Sequence, residues 1–431
     1  MIKYSALPIG EKLRLIRVAK GLSQENVAHA TKSSISTISR IELGQIECSA
    51  TMLPAIKTFL GVGEAPLFEY ELKIYEDQLF ILNDLADAYR TADARDKQSK
   101  MFPIEELPFE RDLNLLYAVI DARLHFHEGN LEAGVAQLDK CEPYLDEACD
   151  EVKHIYYRNM GYVYTVRGDI KTAQKQYLRV LDFQSDKLKA NAITLYCIGM
   201  LYFNLGQPIH AIKYLERAEQ AYSGDKTSIV KTSLYNMLAN CYTVSYDFGL
   251  AKKLQLEALA YARSIHDEES MSHSLLSLST TCIRMGNPEE ALIYIDEGLN
   301  LPDVSEGPYL SNHFDACIIK LTALAALKKH SLCQPVIEQA KALSKGSEAC
   351  TIKLEATIHM MTISNKQSSD YLEEIAIPYF RALGGFQNYT TLEWCNALEA
   401  VYKKRGLTKK ANAIAAITRD IYREMVLGPG D

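Results

Sequence analysis

Apolar positions between Ile9 and Ala19 recur at helical spacing, with Ile9, Leu13 and Ile16 on one face and Leu15 and Val18 nearby. A second short helix is predicted after Ser23, a good N-cap, with Leu22 and Val27 placed to pack around the cap as a hydrophobic staple. A turn follows through Thr31–Ser33. Ser34 can cap a third helix over Ile35–Leu43, which Gly44 ends. A fourth helix is predicted over roughly Ala50–Leu60, with Leu53, Ile56 and Leu60 on one face. After a Gly- and Pro-bearing junction, Gly61 to Pro66, the pattern is helical to the end of the chain.

That long helical stretch repeats itself. One unit carries Gly161, Tyr164, Gly168, Ala173 and Tyr177. The next carries Gly199, Tyr202, Gly206, Ala211 and Leu215. Then come Ala239, Tyr242, Tyr246, Ala251 and Ala258, followed by Ser279, Gly286, Ala291 and Ile295. Upstream, Ala122, Gly129, Gly134 and Leu138 fit the same template, and Leu398, Tyr402, Gly406 and Ala411 fit it near the C-terminus. Small residues fall where two helices must touch, a large apolar residue lies beside them, and Gly marks most of the turns. The register positions 122, 161, 199, 239 and 279 are 38 to 40 residues apart. Between Leu301 and Phe386 the repeat is degenerate but still helical in pattern.

Charge separates the two regions. The chain of 431 residues has a formal net charge of −8. Residues 1–62 carry +4, and the remainder carries −12. A small basic end on an acidic body points to nucleic acid at that end. The ten cysteines include no C-x-x-C pair, and no histidine pair completes a zinc pattern. They are expected to be reduced, small hydrophobic residues in a cytoplasmic protein. No secretory apolar region and no run of about 18 apolar residues is present, so neither export nor a membrane span is expected. No nucleophile elbow, P-loop, metal-ligand spacing or Gly-rich cofactor loop occurs, so no catalysis, metal or cofactor is expected. Acid pairs such as Glu105-Glu106 and Glu289-Glu290 point to different helix faces and read as solvated surface.

The segment from Leu22 to Gly44 resembles the helix-turn-helix of the phage-repressor-like (XRE/Cro) family. The likeness rests on Ser23-Gln24-Glu25, on Val27-Ala28, and on the run Ser34, Thr37-Ile38-Ser39-Arg40-Ile41-Glu42 and Gly44, all in register. It implies that the third helix lies in the DNA major groove while the second crosses the backbone. Ser34, Ile35, Ser36, Thr37, Ser39 and Arg40 are then candidates for base and phosphate contact. Gln24 stands at the start of the crossing helix. Arg14, Arg17, Lys20 and Lys32 join Arg40 as candidate phosphate clamps. Two positions depart from the family pattern. Lys32 stands where Gly is usual, and Thr31 where an apolar residue is usual. A non-Gly residue in a left-handed turn carries a cost.

The repeats resemble tetratricopeptide repeats, lengthened by about one helical turn over the usual 34 residues or so. This resemblance implies an all-α chain, with a helix-turn-helix domain followed by a right-handed superhelix whose first helices line a concave face. Inward-facing candidates for peptide contact are Arg123, Arg158, Asn159, Tyr162, Tyr196, Phe203, Asn204, Asn236, Asn240 and His273. Asn amides suit a peptide backbone, and Arg158 or Arg123 suits a carboxylate. The expected boundaries are 1–62 for DNA binding, 63–75 for a linker and 76–427 for peptide sensing and dimerisation. The whole architecture is similar to the RRNPP peptide-pheromone receptors of Gram-positive bacteria. That likeness implies a cytoplasmic, homodimeric, quorum-sensing transcription regulator with operator DNA and a short signalling peptide as partners. The alternative is a helical-repeat regulator that binds a partner protein, with DNA binding secondary.

Overall fold

A computed structural model of the chain describes residues 2–183, 192–221, 229–302, 312–385 and 387–427; Phe386, the far end of the degenerate stretch, lies outside them. Every regular element among these residues is helical. The chain divides into two compact units, Met1–Lys189 and Ala190–Asp431.

The first unit opens with four short helices: α1 (Ile9–Ala19), α2 (Gln24–Ala30), α3 (Ile35–Glu42) and α4 (Met52–Phe59). Ser23 caps α2 through its hydroxyl, which accepts from the Asn26 N–H, while the Asn26 side chain accepts from the Ser23 N–H. Ser34 caps α3 in the same way, accepting from the Thr37 N–H at 3.0 Å. Leu13, Ile16, Val27, Ile38 and Ile56 are buried together. Full burial contributes about 1.5–3 kcal/mol for each large aliphatic side chain among them. Lys32, in the turn between α2 and α3, has φ +53°, the left-handed conformation that Gly would adopt without strain.

Six further helices follow in this unit: α5 (Glu69–Asp87), α6 (Thr91–Ser99), α7 (Arg111–His127), α8 (Leu131–Asp139), α9 (Asp150–Val166) and α10 (Ile170–Val180). One apolar core runs from Leu13 and Ile38 through Leu67, Leu72 and Leu79 to Leu116 and Val152. Residues 63–75 are therefore not a free tether. Ala65 and Leu67 are buried in that core, and α5 already begins at Glu69. Polar contacts add to the docking. Lys12 is buried, donates to the Leu67 carbonyl at 2.8 Å and lies 3.5 Å from the Glu110 carboxylate. Glu110 also accepts from the Ser5 N–H at 3.1 Å.

The second unit comprises α11 (Ala192–Asn204), α12 (Pro208–Ala221), α13 (Ile229–Val244), α14 (Phe248–Ser264), α15 (Glu268–Arg284), α16 (Pro288–Leu299), α17 (Asn312–Ala326), α18 (Cys333–Leu343), α19 (Glu348–Met361), α20 (Lys366–Tyr371), α21 (Ile377–Leu383), α22 (Gln387–Lys404) and α23 (Thr408–Leu427). A π-helical turn over Leu372–Ala376 joins α20 to α21. Successive antiparallel pairs such as α11/α12, α13/α14 and α15/α16 correspond to the sequence repeats.

The reason for the small register residues is visible in both units. A Cβ on Gly161 would lie 2.8 Å from the Tyr177 ring, and one on Gly199 would lie 2.5 Å from Leu215. Ala122, Ala239 and Ser279 are fully buried at equivalent places. Gly129, Gly168, Gly206, Gly286 and Gly406 turn the chain between paired helices with positive φ, and Tyr246 adopts the same conformation at φ +65°. Lys328 does so at φ +56°, which places the α17/α18 turn in the same series within the stretch where the sequence repeat is degenerate.

Candidate DNA interface and ligand cavity

The outer face of α3 is open. Ser34, Ile35, Ser36 and Arg40 are exposed, and Ile35, an aliphatic residue, is 49% exposed. Thr37 and Ser39 are half-buried beside them. The Ser34 hydroxyl is engaged as the helix cap and lies 2.8 Å from the Thr37 hydroxyl. Arg40 and Lys32 are exposed and make no ion pair among the described residues. Arg14 is also exposed, 3.7 Å from Glu11. Lys20 lies 3.1 Å from Glu106.

Arg17 and Gln24 have a different role from the one their positions suggest. The buried Glu42 carboxylate collects both. Arg17 donates to it through Nε at 2.6 Å and Nη2 at 2.8 Å, and Gln24 donates through Nε2 at 2.8 Å. Arg17 Nη1 donates to the Leu22 carbonyl at 2.7 Å. The bond to Glu42 holds the Arg17 pKa above its ordinary value. Arg17 therefore ties α1, α2 and α3 together and does not present its guanidinium outward. Glu42 belongs to the run that carries the sequence resemblance, but the pattern does not reveal its structural role, because a carboxylate on a candidate DNA-contacting helix looks misplaced until its two donors are seen.

Among the repeat residues of the first unit, Arg158, Arg123 and Asn159 are buried. Arg158 and Arg123 converge on Asp87 at the end of α5, at 2.9 and 3.1 Å. Asn83 joins them, donating to Asp87 and accepting from Arg158, each at 3.3 Å. Burial alone would raise the Asp87 pKa, but the two guanidinium groups outweigh it and hold the carboxyl below its ordinary range. Burial, reinforced by Arg123, pushes His127 down to about 3. Burial also lowers His154 to about 4, helped by Arg158. Asn159 donates to the Val119 carbonyl at 2.7 Å. Tyr162 is half-buried against Phe126. Arg123, Arg158 and Asn159, expected on a ligand-binding face, instead form a polar core. A buried charge must be paired, and α5 supplies its partner.

The second unit contains a cavity of about 480 Å³. This lies within the range of about 300–1,000 Å³ usual for small-ligand pockets. Its walls are largely apolar, including Phe203, Leu276, Ile318, Met360 and Trp394. Thr243, Thr280, Thr322 and Thr357 come from four alternate helices, α13, α15, α17 and α19. Two ion pairs stand in the lining. Lys353 meets Asp315 at 2.8 Å, and Arg284 meets Glu393 at 2.6 Å. The second pair crosses from α15 to α22. Nearby, the Tyr389 ring of α22 stacks 5.9 Å from Phe203 of α11. The Gly385 backbone abuts the end of α11 so closely that a Cβ there would lie 2.4 Å from the Asn204 carbonyl oxygen.

Of the sequence candidates in this unit, Phe203 and Asn240 line the cavity. Asn236 does not. Its amide donates to the Ser274 hydroxyl at 2.9 Å and joins α13 to α15. Tyr196 and Asn204 are half-buried and His273 is exposed, and none of the three lines the cavity. Much of the lining was beyond reach of the repeat register, because α17 and α19 carry part of it where the register fades, and α22 contributes residues that precede its register positions Leu398 and Tyr402. A recurring Thr on alternate helices was the available signal. Among the described residues, no cluster of His, Cys, Asp or Glu is placed to hold a metal ion, and no helix is long and apolar enough to cross a membrane. Among the described residues, no two cysteines are joined by a disulfide.

Comparison with known proteins agrees with both parts. Residues 8–68 match the family described as a helix-turn-helix domain, and residues 192–224 match a tetratricopeptide repeat. The chain is 20% identical over 411 residues to the transcriptional activator NprA of Geobacillus stearothermophilus, covering 91% of this chain and 98% of that protein. Among solved structures, a Rap protein complexed with competence and sporulation factor matches with a TM-score of 0.67 at 12% identity, over 82% of this chain and 99% of that one. NprR in complex with its cognate peptide NprX matches with a TM-score of 0.60 at 15% identity, over 83% and 99%. The structural likenesses show an all-α fold of tetratricopeptide-like repeats over most of the chain, and the family match gives the helix-turn-helix ahead of it.

Proposed function

We propose that this chain, which resembles the RRNPP peptide receptors in both of its parts, is a sequence-specific DNA-binding transcriptional regulator controlled by a short signalling peptide. The observation that carries the reading is the presence, in one chain, of an open α3 face and a largely apolar, ion-paired cavity built from repeat helices. An apolar cavity with a few converging polar groups suits a peptide with several apolar side chains. The α3 face suits the major groove. Ser36 and Thr37 reach base edges, Ile35 meets a thymine methyl, and Arg40 and Lys32 meet phosphate or guanine.

The head's free cations are few, since Arg17 is tied to Glu42 and Lys20 faces Glu106. One head therefore has modest affinity, and two heads on paired half-sites supply the rest. A homodimer follows from that need, with operator DNA and peptide as its ligands in the cytoplasm. Peptide binding shifts the protein between states that differ in how they hold the heads.

A mobility-shift titration on the intergenic DNA upstream of the gene tests the first half. A specific shift that weakens steeply with salt is expected, because phosphate contacts release counterions. A shift absent at low salt, or unchanged in Arg40→Ala, would overturn it. Calorimetry with peptides tests the second half. Binding that leaves operator affinity unchanged would remove the regulatory claim.

A further inference from the structure

We propose that the cavity of the second unit selects peptides bearing a carboxylate, and that this carboxylate replaces Glu393 on Arg284, releasing the tie between α15 and α22. The inference rests on the peptide-binding reading above and specifies how the site is chosen and switched.

The Arg284–Glu393 pair is unequal. The Arg284 side chain is 18% exposed, whereas that of Glu393 is 55% exposed. Arg284 is thus held in the cavity wall, while Glu393 reaches in from the wet side. The bond is also incomplete. Arg284 contacts Glu393 through Nη2, and its Nε is buried with no hydrogen-bond partner. A guanidinium edge of Nε and Nη2 is shaped to hold a carboxylate with two parallel bonds. Glu393 uses half of that edge.

These facts set the direction of exchange. If an incoming carboxylate takes Arg284, Glu393 swings into water and no charge is left buried alone. If an incoming cation took Glu393 instead, Arg284 would remain in the wall without a counter-charge, which is unfavourable. The other pair in the lining does not offer the same exchange. Lys353 and Asp315 are 18% and 29% exposed, so both ends are held inside. The apolar walls around Ile283, Ile318 and Met360 then favour apolar side chains next to the carboxylate.

Exchange has a mechanical consequence within this unit. Beyond the ion pair, α22 is held toward the earlier repeats by the Tyr389–Phe203 stack and the Gly385 backbone contact. Removing Glu393 from Arg284 takes away the charged member of that set, and α22 becomes easier to displace. Trp394, the one tryptophan of the chain, follows Glu393 directly and lines the cavity, so its emission reports the event.

The test is affinity selection on the full-length protein from a random heptapeptide library, made once with free C-termini and once as C-terminal amides. Retained peptides are then titrated singly by Trp394 fluorescence. The expected result is that peptides retained from the amide library all carry Asp or Glu. Amidation of an otherwise uncharged peptide should weaken binding at least about tenfold, the scale of a lost charged hydrogen bond. Arg284→Gln should erase that discrimination. Glu393→Gln should strengthen peptides that carry a carboxylate several-fold and leave amidated peptides without Asp or Glu unchanged, a gain that a misfolded variant cannot give. Retention of uncharged amides as readily as acids, or discrimination that survives in Arg284→Gln, would overturn this inference and leave peptide binding intact. Retention of no peptide from either library would overturn the peptide-receptor reading itself.

Discussion

The two units use equivalent repeat positions in opposite ways. Arg158 in the first unit and Asn236 and Leu276 in the second each stand three residues before a buried small register residue. Arg123, Asn240 and Thr280 each stand one residue after it. In the first unit each of two repeats places one arginine at these positions, Arg123 after Ala122 and Arg158 before Gly161, and the space those two face is filled by Asp87 and Asn83 of α5. In the second unit the repeats at Ala239 and Ser279 carry amides, a hydroxyl and an aliphatic chain at these positions, and Asn240, Thr280 and Leu276 open onto a cavity. A helix packed against the face turns it into polar core; without one it remains a site. The identity of a repeat residue therefore does not decide its role. What lies opposite does.

The comparison breaks most decisively at Asp87. Asp87→Asn leaves two buried arginines without their counter-charge, and the first unit is expected to lose about 3–5 kcal/mol in denaturant unfolding followed by circular dichroism. A loss under about 1 kcal/mol would mean that the cluster is solvated and open like a binding site. Acid should act on the same region. His127 and His154 stay neutral in the fold down to about 3 and 4. In the unfolded chain they take up protons near about 6.5. The unfolded state thus binds more protons below that pH, and stability falls as pH drops. Each histidine accounts for up to about 2 kcal/mol between pH 6.5 and 5. Asp87 adds loss of the same sign only below its unfolded value of about 3.9, as pH falls through its lowered folded pKa. Thermal melts of a His127→Gln, His154→Gln double variant should show a flatter acid limb; an unchanged limb refutes the assignment.

Filling the second unit should do the reverse. Ala325 lines the cavity, so Ala325→Phe is expected to change stability by less than about 1.5 kcal/mol. The same variant should weaken peptide affinity by more than about tenfold, measured by calorimetry, because it occupies the ligand's volume. A stability loss without an effect on binding would mean that this wall is core. The smallest effect falls in the head. Lys32→Gly relieves the φ of +53° and is expected to raise stability by about 1 kcal/mol, read as an upward shift in melting temperature.

Much of the fold was legible in the chain. Ser23 and Ser34 mark helix starts because a hydroxyl there accepts an otherwise orphaned backbone N–H, and that chemistry is local. Gly161 and Gly199 mark helix contacts because no side chain fits opposite Tyr177 and Leu215. The site was less legible. Phe203 and Asn240 were within reach, but Arg284, Lys353 and Glu393 were not, since each gains its meaning from a partner 38 to 109 residues away. Arg17 was misread for the same reason, its carboxylate lying 25 residues on.

By itself the sequence determined the all-α architecture, the helix-turn-helix, the repeat register and most turns, because caps, periodicity and left-handed glycines act over a few residues. Tertiary structure alone decided which arginines became core and which line a cavity. A charge is stabilised or exposed by what the fold brings opposite it, and no spacing along the chain specifies that neighbour.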